Sequence, residues 1–128
     1  MSLAQPIADL AARIGQELKD RVTTEHPGLA RAWVCFGWVE DHLVIHAQHN
    51  VKKVMRLAPG KYRVVFEEAL PDAHYCWQAF ARHRDASMTL AAARGNCDDK
   101  TADDVEFVCA TPSGMLADSS EINVVVYR

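Results

Sequence analysis

The chain has no closely spaced cysteine pair. Cys35, Cys76, Cys97 and Cys109 stand far apart, with no CxxC, which disfavours a zinc ribbon. No GxxxxGK(S/T) or GxGxxG stretch occurs, so no phosphate cradle is indicated. Neither Ser113-Gly114 nor Ser119-Ser120 sits in a GxSxG elbow, so a hydrolase serine is unsupported. No apolar run approaches the ~20 residues a membrane span needs. The opening Met1-Ser2-Leu3-Ala4-Gln5-Pro6 lacks the basic-then-apolar order of a secretory signal, so folding in a reducing cytoplasm with free thiols is expected. There is no excess of positive charge: 14 Lys and Arg against 17 Asp and Glu give a net charge of −3. That argues against a dedicated nucleic-acid binder. No internal repeat or low-complexity tract is visible.

What is present suits one folded unit. The chain has 128 residues and is 49% hydrophobic, long enough to bury a core without staples. Leu3, Ile7, Leu10, Ile14 and Leu18 recur at steps of four and three, a helical stripe. Pro6 fits the first turn, where its missing N–H costs nothing. Thr23-Thr24-Glu25-His26-Pro27-Gly28 ends the helix, since proline and glycine do not continue it. Residues 1–28 are therefore read as an amino-terminal helix and linker, and 29–128 as a β domain. A helix this short is marginal alone in water, so its stripe requires a partner. The partner is either its own domain or the same stripe on identical chains, and two heptads are too few to fix the number of helices.

The β domain is centred on Gly60-Lys61-Tyr62-Arg63-Val64-Val65-Phe66, where Tyr62, Val64 and Phe66 alternate with more polar neighbours, the period of a half-buried strand. Pro59-Gly60 is a turn signal, and Asn50 to Arg56 reads as its hairpin partner. Further strands are expected at 30–38, 43–47, 75–81, 87–93, 105–110 and 122–127, separated by turns at Glu40-Asp41-His42, Leu70-Pro71-Asp72-Ala73, Arg82-His83-Arg84-Asp85 and Thr111-Pro112-Ser113-Gly114. Alanine and leucine in 87–93 also permit a helix, but a short element between strands reads better as strand. Seven or eight short strands with turns at this spacing predict an antiparallel β-sandwich preceded by an α-helix. The first strand is apolar on both faces, Val34, Phe36 and Trp38 against Trp33 and Cys35, which asks for a second cover. Tyr62, Phe66, Trp77 and Phe107 are expected in the core, and Cys35, Cys76 and Cys109 as free thiols in strands. Cys97, in the polar loop 94–104, is the expected exposed thiol.

An ordered series runs through this domain: Asn50-Val51, Gly60-x-Tyr62-x-Val64-x-Phe66, Leu70-Pro71-Asp72-Ala73-x-Tyr75, and Asp118-Ser119 before Val124-Val125-Val126-Tyr127-Arg128. It resembles a small β domain found in tail-fibre and related virion proteins of tailed bacteriophages. The likeness begins near Ala32-Trp33-Val34 and runs to the last residue, and residues 7–19 are similar to a segment that often precedes that domain. Two places depart from the pattern: His49 stands where an aromatic is common, and Ala58-Pro59-Gly60 replaces a glycine- and threonine-rich turn. The resemblance implies a homotrimer, with residues 1–28 serving oligomerisation or attachment, so the stripe Leu3, Ile7, Leu10, Ile14 and Leu18, with Trp33 on the second apolar face of the first strand, is the expected oligomer interface.

Other constellations are weaker. His42, His46 and His49 are the only dense histidines, but strand alternation puts His42 and His46 on one face and His49 on the other, against three convergent metal ligands. Asp98, Asp99, Asp103 and Asp104 lack the spacing of a calcium loop and read as a solvated acidic loop. Glu67-Glu68 and Asp118 could form a carboxylate pair for glycoside hydrolysis only if folding set them at the needed separation. Trp33, Trp38 and Trp77 would stack on sugar rings if exposed and serve core or interface if buried.

The expectation is a structural virion protein made in the bacterial host cytoplasm: a small trimeric tail-fibre, knob or tail-associated component that contacts other virion proteins and, further, a host-surface receptor or glycan. No enzyme activity, cofactor, metal, nucleic acid or membrane insertion is expected. The alternatives are a capsid decoration or cement protein, a carbohydrate-binding module using exposed aromatics, and a metal-dependent enzyme.

Overall fold

The structure is a computed structural model that describes residues 2–82, 89–93 and 100–128, with the backbone alone described at 89–93. One α-helix, α1 (Ala4–Arg21), precedes eight strands: β1 (Ala32–Val39), β2 (His42–His49), β3 (Val51–Ala58), β4 (Lys61–Phe66), β5 (Cys76–Arg82), β6 (Thr89–Ala93), β7 (Asp104–Ala110) and β8 (Glu121–Tyr127). All pairings are antiparallel, in the order β2-β1-β8-β5-β6-β7-β4-β3. Folded on itself, this order brings β1 and β5 against β4 and β7. Aromatic contacts across the gap define the two layers: Phe36 of β1 meets Tyr62 of β4 edge-on at 5.3 Å between ring centroids. Trp77 of β5 lies 5.8 Å from Phe107 of β7. The expected antiparallel sandwich with an amino-terminal helix is what the chain forms.

The inner faces follow the alternation in the sequence. Val34 and Phe36, Tyr62, Val64 and Phe66, Val105, Phe107 and Cys109, and Ile122, Val124 and Val126 are all buried. Trp77 is only half-buried, packed against the edge of this core. The 87–93 segment is strand over Thr89–Ala93, since its pairing with β5 and β7 outweighs alanine's helical preference. The expected turn at His83-Arg84-Asp85, and the stretch with Cys97, Asp98 and Asp99, lie outside the described residues.

Two joints hold the layers. Asn50, read above as the start of a strand, is instead the corner between β2 and β3, in the left-handed region at φ 52°. Asparagine tolerates that conformation because its short amide can bond locally. Its Nδ2 donates to the carbonyls of Arg31 at 3.1 Å and Glu68 at 3.2 Å, and its Oδ1 accepts from the Glu68 N–H at 2.8 Å. One residue thus carries the chain from one layer to the other, the usual way a strand turns a sandwich corner.

Asp118 makes the second joint, at the opposite end of the β3–β4 hairpin. Its carboxylate accepts from Arg56 Nε at 3.1 Å and Nη2 at 2.7 Å, from the Gly60 N–H at 2.9 Å and from the Tyr62 hydroxyl at 2.6 Å. The Arg56 guanidinium stacks on Trp38, 4.1 Å from the ring centroid. Gly60 has φ +73°, and a Cβ there would sit 2.6 Å from the Ala117 nitrogen, so only glycine fits this turn.

Burial opposes ionisation of Asp118. The hydrogen bonds from Arg56, Tyr62 and Gly60, with the Arg56 charge, outweigh it and hold the carboxyl below its ordinary range. A depressed pKa contributes stability above the unfolded-state value of about 3.9, lost as pH falls through the folded value. Asp118→Asn should therefore cost about 1–3 kcal/mol at neutral pH. In urea titrations the gap to wild type should narrow below about pH 4, the region where the unfolded carboxyl takes its proton. A gap that stays constant to pH 2 would mean the charge contributes nothing.

Candidate assembly surface

Helix α1 has no buried residue. Leu3 is 66% exposed and Ile14, the most covered of the stripe, is still 51% exposed, with Ile7, Leu10 and Leu18 between them. The opposite face carries intrahelical polar pairs, Gln5 to Asp9 and Gln16 to Asp20. Helical periodicity therefore forms an amphipathic helix whose apolar side stays exposed, none of its residues being buried. Among the described residues the sandwich buries none of the α1 stripe.

The β2-β1-β8-β5 layer carries a second apolar surface on its outer side. Trp33 is paired in register with Val125, and Cys35 with Asn123; across β8 these meet Gln78 and Phe80 of β5. Trp33 is 39% exposed and Phe80 71%. Val44 of β2, opposite Gly37, is also exposed on this side, whereas Ile45, opposite the buried Phe36, faces inward. Each of the expected interface residues Leu3, Ile7, Leu10, Ile14, Leu18 and Trp33 is thus free on the surface of one chain. Phe80 was missed, although the sequence held a signal: with Trp77 inward, alternation sends Phe80 outward.

The remaining candidates do not converge. Glu67 and Glu68 lie beside Asn50 while Asp118 sits beside Gly60, at opposite ends of the β3–β4 hairpin. They form no carboxylate pair. The histidine arrangement is corrected. In β2, Cys35 pairs with Ala47 but Phe36 pairs with Ile45, leaving His46 as an extra bulged residue. The bulge resets the alternation, so His42 and His49 share the outer face. His49 stacks on Trp33 at 6.4 Å between centroids. Among the described residues no group of three metal-ligating side chains forms. Thr101, just before β7, donates its hydroxyl to the Asp104 carboxylate at the start of that strand at 3.0 Å.

A cleft of about 580 Å³ opens beside Asn50, lined in part by Glu25, Arg31, His49, Glu67 and Glu68. Its central amide, Asn50, is already engaged by backbone. Among the described residues no helix is long and apolar enough to cross a membrane.

The cysteines are free among the described residues, Cys109 buried, Cys35 half-buried and Cys76 exposed. Burial pushes the Cys109 thiol up to about 12, with nearby Asp118 adding to it, so it is no nucleophile at neutral pH. Alkylation of the native protein, read by peptide-level mass spectrometry, should mark Cys76 quickly and Cys109 only after unfolding. Equal rates at the two would contradict the placement of β5 and β7.

No protein-family model, curated protein or solved structure matches the chain.

Proposed function

We propose that the chain is a self-associating structural component of a tailed-bacteriophage virion, a small fibre, knob or tail-associated protein in which α1 joins identical chains. The observation that carries it is the helix: five large apolar side chains on one stripe, all exposed, on an element that does not persist alone in water. A stripe on identical chains is self-complementary, and closed cyclic symmetry satisfies every copy. The outer sheet face with Trp33 and Phe80 is the second surface such an assembly covers. The number three and the virion setting come from the resemblance carried by Asn50-Val51, the Gly60 to Phe66 series and Asp118-Ser119. The places of Asn50, Gly60 and Asp118 at the joints of the sandwich give that series a structural purpose. Electron microscopy of the parent particle with an antibody to this chain tests the reading. Label on the tail or its fibres supports it, label over the capsid shell supports the decoration-protein alternative, and an unlabelled particle rejects both.

One observation favours a glycan-binding role in addition. Of the three tryptophans only Trp33 is exposed. Trp38 lies under Arg56 and Trp77 against Phe107. Binding on a glycan array that Trp33→Ala removes would establish it.

A further inference from the structure

The two ends of the sheet are unlike. Among the described residues β2 pairs only with β1, and β3 only with β4, so each leaves one row of backbone groups without a strand partner. Such edges template pairing with another chain, and proteins blunt them with lysine, proline or charge. The β3 edge is blunted by the exposed Lys52 and Lys53. The β2 edge, His42-Leu43-Val44-Ile45-His46-Ala47-Gln48-His49, has no lysine, arginine, carboxylate or proline along eight residues, and nearly all of it is exposed. Its only guard is the bulge at His46.

The geometry points to β2 as a docking edge for β2 of a second copy, paired antiparallel about a two-fold axis between Ile45 and His46. The facing pattern selects this register. Leu43 packs on the core, so His42 and Val44 point outward. Ala47 pairs with Cys35, and His49 with the exposed Trp33, so they point outward too. Directly opposed residues of an antiparallel pair must share a face. Setting His42 against the second copy's His49 also sets Val44 against Ala47 and Leu43 against Gln48, and each pair matches in facing. Sliding one strand by one residue breaks the match along its length.

Charge points the same way. The β1–β2 turn is acidic, with Glu40 and Asp41 both exposed, and the start of β3 is basic, with Lys52 and Lys53 exposed. None of the four has an ion pair among the described residues. In the two-fold register Asp41 of each copy falls opposite Asn50 of the other, the residue that leads into its basic segment. Two β3 edges would instead bring lysines together. The layer β2-β1-β8-β5 would become one half of a continuous sheet, its outer face extended across the axis. This contact needs nothing from α1. Threefold helices and two-fold edges together close as a pair of trimers.

The test uses the full chain with the helix stripe disabled by Ile7→Asp and Ile14→Asp, so that the edge is read apart from the helix. Sedimentation equilibrium should give two chains, and adding Val44→Lys should halve the mass while circular dichroism still reports the β-sandwich. A second reading is independent of Val44: a short bis-maleimide should join copies of the His42→Cys/His49→Cys protein above the level of either single variant. A helix-disabled protein at one-chain mass, a dimer indifferent to Val44→Lys, or equal cross-linking of singles and double overturns the proposal. Intact edge dimers with no helix-dependent mass increase in the wild-type chain would reject the helix reading and leave the edge standing.

Discussion

Phe66→Ala is expected to destabilise the protein by about 3–5 kcal/mol, the range for truncating a buried aromatic to alanine. Phe66 is 4% exposed and meets Tyr75 edge-on at 5.6 Å between ring centroids. Its strand position pairs with Val51, and its N–H donates to the Asp103 carbonyl at 2.8 Å. It therefore fills the end of the core where the Asn50 corner, the 67–75 segment and the start of β7 converge. The hydroxyl of Tyr75 is committed to the carbonyls of Thr101 and Asp104, both at 2.8 Å, so that ring is not free to swing into the vacancy. Loss of Phe66 should leave a cavity rather than a collapsed site. A domain of this size has roughly 5–15 kcal/mol in all, so the variant keeps only a fraction of it. Urea unfolding should show a lowered midpoint with unchanged slope. A loss below about 1 kcal/mol would place the ring outside the core.

The second large effect concerns assembly. Ile7→Asp with Ile14→Asp puts two carboxylates into the centre of the α1 stripe, one turn-pair apart. In a seam between identical helices each charge is repeated in every copy and stripped of water, a cost that small packing gains do not offset. Dissociation should bring loss of helix, because an 18-residue α1 without a partner is marginal in water. Far-ultraviolet circular dichroism should lose its helical component while the sandwich melts as before. The sandwich is indifferent because no residue of α1 is buried against it.

Much of this fold is legible in the sequence. The alternation Tyr62, Val64, Phe66 and the Pro59-Gly60 turn locate the β3–β4 hairpin, and the stripe from Leu3 to Leu18 locates α1. Three features are not legible, each for a physical reason. Asn50 reads as strand because a single left-handed residue leaves the flanking alternation intact while changing the layer. The bulge at His46 has no composition signal, since it depends on where β1 needs to twist, and so the facing of His42 and His49 was inverted. The Asp118 joint depends on residues far apart in the chain, and only folding brings Arg56, Gly60 and Tyr62 to it. For the assembly surface, the stripe and Trp33 could be read directly. That neither is covered within the chain could not, because periodicity shows which face is apolar and not what lies against it.

Sedimentation equilibrium of the unaltered chain tests the central claim most directly. Self-association through α1 predicts three times the 14.3 kDa of one chain, or twice that where the β2 edges also pair, and loss of the threefold step in Ile7→Asp/Ile14→Asp. A wild-type protein that sediments at the mass of one chain, with α1 helical and its stripe in water, would contradict it.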